Sequence, residues 1–249
     1  MLNILIITEL AFALIAFAFL VFINAPYGRY ARKGWGPAIP ARFGWMIMEF
    51  PAFFVIAYLV LTNLNKVGGF GIVFLVMWEA HYFYRVWVYP FIMTSPNKPF
   101  PVLLVFFAIC FNSLNGMANG ISLVDMGGFY SGGGWAADPR FLIGTALFMA
   151  GFGIHAHSDK VLRILRRQGK GEYLIPQKGL FRFVSSPNYL GEIVEWTGFA
   201  VATWSVAGLA FAVFTVANLL PRAISNHRWY KSTFPDYPSN RRVLIPFVW

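Results

Sequence analysis

Apolar runs of membrane-spanning length recur along most of the chain, at Leu2–Ile23, Trp45–Leu61, Phe70–Met93, Val102–Val124 and Phe141–His155. A longer run, Tyr189–Leu220, has room for two spans and is broken near Trp204-Ser205-Val206. A span needs about 20 residues, so seven of them consume most of a 249-residue chain. The expectation is an all-α, polytopic membrane protein with seven transmembrane helices forming one domain over 1–249. The runs at Trp45 and Phe141 are short, which predicts a bilayer thinned locally around them. With 58% hydrophobic and 12% charged residues, an ordinary soluble domain is excluded.

Charge sidedness orients the bundle. Alternate loops carry Arg29, Arg32, Lys33 and Arg42; Lys98; the basic run Lys160–Arg182; and Arg222, Arg228, Lys231, Arg241 and Arg242. The opposite loops hold only Lys66 and, at a span edge, Arg140. The positive-inside rule then predicts an N-terminus outside and a cytoplasmic C-terminus. Topology accounts for most of the net charge of +10, so no nucleic-acid partner is implied. The first run lacks a basic n-region and a small-residue cleavage site, and reads as a span rather than a signal peptide. Cys110 is the only cysteine, which excludes a disulfide framework and a thiolate metal site.

Two glycine-rich segments invite a phosphate-binding reading and do not support it. Gly127–Gly134 lies on the outer side without a strand–helix context, and Gly151-Phe152-Gly153 lies inside a span. A soluble dinucleotide-binding fold has no room here.

Polar groups inside the spans are costly and mark function. Ser186 and Pro187 suit the N-cap and first position of a helix, and Asn188, Glu192 and Glu195 then follow at i, i+4 and i+7 on one face. Glu49 is the single carboxylate of its span, roughly 10 Å in from Arg42 at 1.5 Å per residue. Glu79, Tyr82, Arg85 and Tyr89 form a polar stripe on the third span, with His81 off it. Three spans thereby bring polar groups to a similar depth in the cytoplasmic leaflet.

A fourth cluster leaves the fifth span. On a helix, His155, Asp159 and Arg166 fall within about 40° of one another, with Arg163 nearby, while His157 points about 160° away. This geometry argues against a His155–His157–Asp159 metal site, and no metal is expected. Arginine for phosphate and aspartate for a hydroxyl suit a polyanionic ligand with ribose groups. The loop 159–187 and the tail 222–249, rich in aromatics, are expected to form its cytoplasmic walls.

These motifs together resemble the steroid 5α-reductase family (3-oxo-5α-steroid 4-dehydrogenase). The resemblance runs from about Ala41 to Trp249 through Glu49-Phe50-Pro51, His81-Tyr82-Phe83, His155-Ala156-His157-Ser158-Asp159, Pro187-Asn188-Tyr189-Leu190-Gly191-Glu192 and Leu244-Ile245-Pro246-Phe247. It implies a membrane-embedded reductase that uses NADPH on the Δ4 bond of 3-oxo-Δ4 steroids, with hydride delivered to C5. Glu49 and Tyr82 match the pair that polarises the C3 carbonyl, with Trp45, Arg85 and Trp196 expected against the substrate. Tyr27, His155, Asp159, Arg163, Arg166, Tyr173, Asn188, Glu192, Glu195, Arg222, Asn226, Tyr230 and Arg241 are expected around the cofactor. Met48 stands where the family has Gln, His155 where it has Asn, and Asn226 where it has His. The segment Thr94–Lys98 also differs in length from the animal enzymes. The pattern suggests a microbial member, monomeric, in a bacterial inner membrane, or in the endoplasmic reticulum if eukaryotic.

Enone reduction requires donors aimed at the carbonyl oxygen in a dry site. Tyr82 is such a donor, and Glu49 among Met46, Ile47, Met48 and Phe50 is one if the apolar setting keeps it protonated. The steroid is expected from the bilayer and the cofactor from the cytoplasm. Rival readings are an enoyl-CoA or polyprenol reductase, an isoprenylcysteine-type methyltransferase, and a non-catalytic sterol-binding protein. The methyltransferase would favour Arg-His-Pro where this chain has Ser185-Ser186-Pro187.

Overall fold

A computed structural model describes residues 1–132 and 134–249. Among them, seven long helices follow in order: α1 (Leu2–Phe22), α2 (Ala41–Leu61), α3 (Leu64–Phe83), α4 (Val102–Asp125), α5 (Pro139–Gln168), α6 (Pro187–Thr203) and α7 (Val206–Thr233). All but α6 are long and apolar enough to cross a membrane. Helix α6 has 17 residues, about a turn short of a full span. The protein is thus an all-α polytopic membrane protein with one addition. A two-stranded antiparallel ribbon, β1 (Ala38–Pro40) with β2 (Pro99–Pro101), ties the starts of α2 and α4 together.

The expected short spans are corrected. Helices α2 and α5 begin at Ala41 and Pro139 and run for 21 and 30 residues. Hydropathy falls at Arg42 and after His155, but backbone hydrogen bonding continues through the charged residues, so each helix outlasts its apolar run. Asp138 starts α5 as an N-cap, accepting from the Arg140 backbone N–H at 2.8 Å ahead of Pro139.

The break between α6 and α7 falls where the sequence places it. Trp204 adopts a left-handed conformation (φ 49°), and the Ser205 hydroxyl caps α7 by accepting from Gly208 at 3.0 Å. At the other end of α6, Ser186 is the N-cap and Pro187 the first helical residue. The Ser186 hydroxyl does not cap its own helix; it accepts from Asn226 at 3.4 Å.

Two packing features position the site. In the centre, Phe74, Trp78, Phe148, Trp196, Phe199 and Phe211 form a buried aromatic core joining α3, α5, α6 and α7. Along the α5–α6 seam, backbones meet directly. A Cβ on Gly144 or Gly151 would strike Ala202 or Glu195, and one on Gly198 or Gly191 would strike Phe148 or His155. Small residues at such positions are how membrane helices approach closely. Gly151 of the Gly-Phe-Gly segment is therefore a packing residue, whereas Gly153 faces open space.

Candidate functional site

The glycine seam presses the polar face of α6 onto that of α5. His155 Nδ1 lies 3.5 Å from Glu195 Oε2, and His155 Nε2 lies 3.4 Å from Asp159 and 3.9 Å from Glu192. The Asn188 amide donates to Asp159 at 3.4 Å. Glu195 is 0% exposed, and its other oxygen meets His81 Nδ1 of α3 at 2.7 Å. His81, which the helical spacing set aside, is thus part of a buried imidazole–carboxylate–imidazole chain. Its ring also packs edge-on against Tyr82 and Trp196. His157 points away from that chain, as the helical spacing predicts, and its ring lies against Gly179.

Tyr82 is 3% exposed, its ring held by Trp78 at 5.1 Å and Trp196 at 5.8 Å between centroids. Just beyond it, α3 passes into a π-helical turn, Tyr84–Val88. Such turns carry an inserted residue and concentrate at functional sites. This one presents Arg85 to Glu49, donating at 2.9 Å, with the guanidinium over the Trp45 ring at 4.3 Å and near Tyr89. Asn112 of α4 donates to Glu49 at 3.4 Å and to the Met48 carbonyl.

Here the expectation for Glu49 is corrected. Its carboxylate is not isolated among apolar side chains: a guanidinium and an amide both address it. The remaining hydroxyl donor is Tyr82. Glu79, the first member of the expected stripe, does not join; its oxygens have no hydrogen-bond partner among the described residues.

On the far side of Tyr89 a cleft of about 300 Å³ opens between the loop after α1, the ends of α5 and α7, and the start of α6. Tyr27, Asp159, Arg163, Arg166, Tyr173, Asn188, Arg222, Asn226 and Tyr230 all line it. His155, Glu192, Glu195 and Arg241, expected at the same ligand, are not in that lining. The first three form the layer behind Asp159 and Asn188. Arg241 is 3% exposed, donates to Gln177 at 2.6 Å and lies over Tyr237. Trp45 and Tyr89, which also line the cleft, carry the Arg85 guanidinium near their rings and so join the cleft to the Glu49 pair.

Aromatic rings hold the arginines of the cleft. Arg166 lies over Tyr173 at 3.3 Å, and Arg222 donates to Tyr27 and lies beside Tyr189. Arg163 donates to Tyr84 at 2.9 Å. Arg29, read from sequence only as a topology charge, sits among Tyr173, Trp229 and Tyr230 with its Nη1 buried and unpartnered among the described residues. Tyr30 donates to Asn226 at 3.4 Å. Burial pushes the Tyr27 phenol up and the Tyr30 phenol up to about 12, so both remain hydroxyl donors at neutral pH. Arginines stacked on rings, one of them with an orphan donor, plus phenols, an aspartate and an asparagine fit a phosphorylated ligand with ribose hydroxyls.

The tail closes the base of the cleft. Ser185 bonds His227 at 2.6 Å and Tyr237 at 2.7 Å, and its backbone N–H donates to the Arg242 carbonyl.

The chain has known relatives. Residues 98–249 match the 3-oxo-5-alpha-steroid 4-dehydrogenase family. The chain is 41% identical to the human 3-oxo-5-alpha-steroid 4-dehydrogenase 2, over 95% of this chain and 92% of that protein. It is 38% identical to the bovine 3-oxo-5-alpha-steroid 4-dehydrogenase 1, over 96% and 94%. It is 36% identical to the steroid 5-alpha-reductase DET2 of Arabidopsis thaliana, over 92% and 90%.

Proposed function

The chain belongs to the 3-oxo-5-alpha-steroid 4-dehydrogenase family, and from that premise we propose that it is an NADPH-dependent reductase of the Δ4 bond of 3-oxo-Δ4 steroids. The observation that carries the reading is a buried Tyr82 beside the Glu49–Arg85 pair, adjoining a cleft whose arginines are stacked on aromatic rings.

The division of labour follows the polarity. The cleft takes the charged cofactor, with Arg29, Arg166 and Arg222 toward phosphates and Asp159 and Asn188 toward ribose hydroxyls. When bound, NADPH supplies the hydride. Tyr82 donates a hydrogen bond to the C3 carbonyl oxygen and strengthens it as negative charge develops there. Glu49, fixed by Arg85 and Asn112, orients the carbonyl end of the substrate and keeps Arg85 near the developing charge. Trp78, Trp196 and Phe211 exclude water, so these dipoles act in a weakly screening medium. The cleft faces the cytoplasm, in line with the basic loop and tail that surround it.

The test uses purified protein in detergent with NADPH and a panel of enones, followed at the nicotinamide absorbance band. Oxidation of NADPH with a 3-oxo-Δ4 steroid, and formation of the 5α product, is the expected result. Turnover of an enoyl-CoA alone, or a rise in melting temperature with S-adenosylmethionine and not NADPH, would overturn the proposal.

A further inference from the structure

The file of side chains from His81 to Asp159 has a property that packing alone does not explain. Imidazole and carboxylate alternate along it, on three different helices. His81 Nδ1 lies 2.7 Å from Glu195 Oε1, Glu195 Oε2 lies 3.5 Å from His155 Nδ1, and His155 Nε2 lies 3.4 Å from Asp159. His81, Glu195 and His155 are 3%, 0% and 2% exposed, whereas Asp159 lines the cleft. The middle link is open. Neither His155 Nδ1 nor Glu195 Oε2 has a hydrogen-bond partner among the described residues, although only 3.5 Å separates them. Buried polar atoms kept for stability are normally satisfied, and an unsatisfied pair calls for another explanation. The remaining polar neighbours are Glu192 of α6, 3.9 Å from His155 Nε2, the Asn188 amide on Asp159, and Arg163 one turn beyond Asp159 on α5.

The inner end of the file lies beside the hydroxyl donor. The His81 ring stands edge-on to Tyr82, with centroids 5.1 Å apart. Glu195 occupies His81 Nδ1, which leaves Nε2 free of hydrogen bonds among the described residues. Reduction of an enone adds a proton as well as a hydride, and that proton must cross a core filled by aromatic rings. The Tyr82 proton serves once; the phenolate it leaves must be recharged before the next turnover. The route past Tyr89 ends at the Arg85 guanidinium, which does not release a proton near neutral pH. An imidazole does, giving up a proton from one nitrogen as it takes another on the second.

We infer that Asp159, His155, Glu195 and His81 form a proton file that recharges Tyr82 from the solvent of the cleft. Hydride adds at C5, the C4–C5 π pair shifts to C3–C4, and the carbonyl π pair moves to oxygen. The Tyr82 O–H bond breaks and its proton joins that oxygen, giving an enol that becomes the ketone when this proton is exchanged for one on C4. His81 then passes its Nε2 proton to the phenolate and takes one at Nδ1 from Glu195. Glu195 takes one from His155 Nδ1, His155 takes one at Nε2 from Asp159, and Asp159 takes one from water. One proton enters per hydride transferred, and no member of the file changes its net protonation. The inference rests on the reductase reading, and these four residues act through Tyr82 rather than on the substrate.

The test follows NADPH oxidation with a 3-oxo-Δ4 steroid by rapid mixing, in H2O and in D2O, for the parent, His155→Asn and Glu195→Gln. Each substitution keeps a hydrogen-bonding side chain of similar shape and passes no proton, and thermal unfolding checks that both variants are folded. Tyr82 starts protonated. Both variants should therefore oxidise a first equivalent of NADPH quickly and then slow by about 10²-fold, the low end for a lost proton transfer. The slow phase should carry a larger solvent isotope effect than parent turnover. Slowing of the first turnover as much as the later ones, with no added isotope effect, overturns the file and leaves the four residues a packing role. Parent kinetics in both phases overturn it equally. If one variant does not fold, the other decides, since either break interrupts the same file. A parent inert toward the steroid overturns the reductase reading, and this inference with it.

Discussion

Gly151 and Gly191 face each other across the α5–α6 seam so closely that a methyl group on either would meet the other helix's backbone. The contact sets the spacing at which His155 reaches Glu195, Asp159 and Glu192. Gly191→Ala should therefore force the helices apart, costing about 1–3 kcal/mol as overpacking does, and weaken NADPH binding at the same time. Gly153→Ala is the control, because its Cβ would meet nothing within 4 Å; it should leave stability equal or slightly higher. Thermal unfolding in detergent and a cofactor fluorescence titration measure both effects. A Gly191→Ala protein as stable as the parent would show that the seam yields.

The ion pair between Arg85 and Glu49 makes a second prediction. Glu49→Ala removes the group that orients the substrate carbonyl and frees Arg85 within the site. Its kcat should fall about 10²-fold, the cost of a misplaced substrate, with NADPH affinity little changed. Glu49→Gln keeps size and hydrogen bonding and should retain partial activity. Arg85→Met leaves the carboxylate unpaired and should lower stability as well as rate, by about 3–5 kcal/mol for a broken buried pair. Steady-state kinetics beside thermal unfolding separate these variants. A Glu49→Ala enzyme turning over at the parent rate would make Glu49 a packing residue.

Much of the fold is legible in the amino-acid sequence. Apolar run length locates every long helix, and the Ser186-Pro187 and Trp204-Ser205 signals locate two of the boundaries. The Asn188/Glu192/Glu195 face is legible because helical spacing is rigid and carboxylates are rare in spans. Helical spacing fails at His81, because whether a side chain lies on a useful face depends on which neighbour it faces, and Glu195 comes from a helix that is distant in sequence. It fails again at Glu79, which the spacing puts on the Tyr82 stripe and whose oxygens have no hydrogen-bond partner among the described residues. Arg29 is masked differently: a basic residue outside a span fits topology so well that nothing in the sequence points to its aromatic cage.

Tyr82→Phe tests the donor. The variant keeps the ring that packs on Trp78 and Trp196 and loses only the hydroxyl, so folding and cofactor affinity should match the parent. If the hydroxyl donates to the substrate oxygen chiefly as charge develops, kcat and kcat/KM should drop together. A change in KM alone would instead mark Tyr82 as a ground-state contact. Normal turnover would reduce it to a core aromatic.

The arginines of the cleft make the last prediction. Arg29, Arg166 and Arg222 converge on one space, and a 2′-phosphate is the feature of NADPH that rewards an additional cation. The parent should therefore prefer NADPH to NADH in kcat/KM. Replacing each arginine with leucine in turn should identify one that collapses the preference by about tenfold or more, the worth of a charge-assisted hydrogen bond. The other two should weaken both cofactors alike. Asn188→Ala provides the contrast: it removes the bond that steadies Asp159, which lies toward the ribose in this reading, so both cofactors should lose affinity equally. Steady-state kinetics with the two cofactors across the four variants decide the matter. Equal kcat/KM for NADPH and NADH in the parent would remove the 2′-phosphate from the role assigned to these arginines.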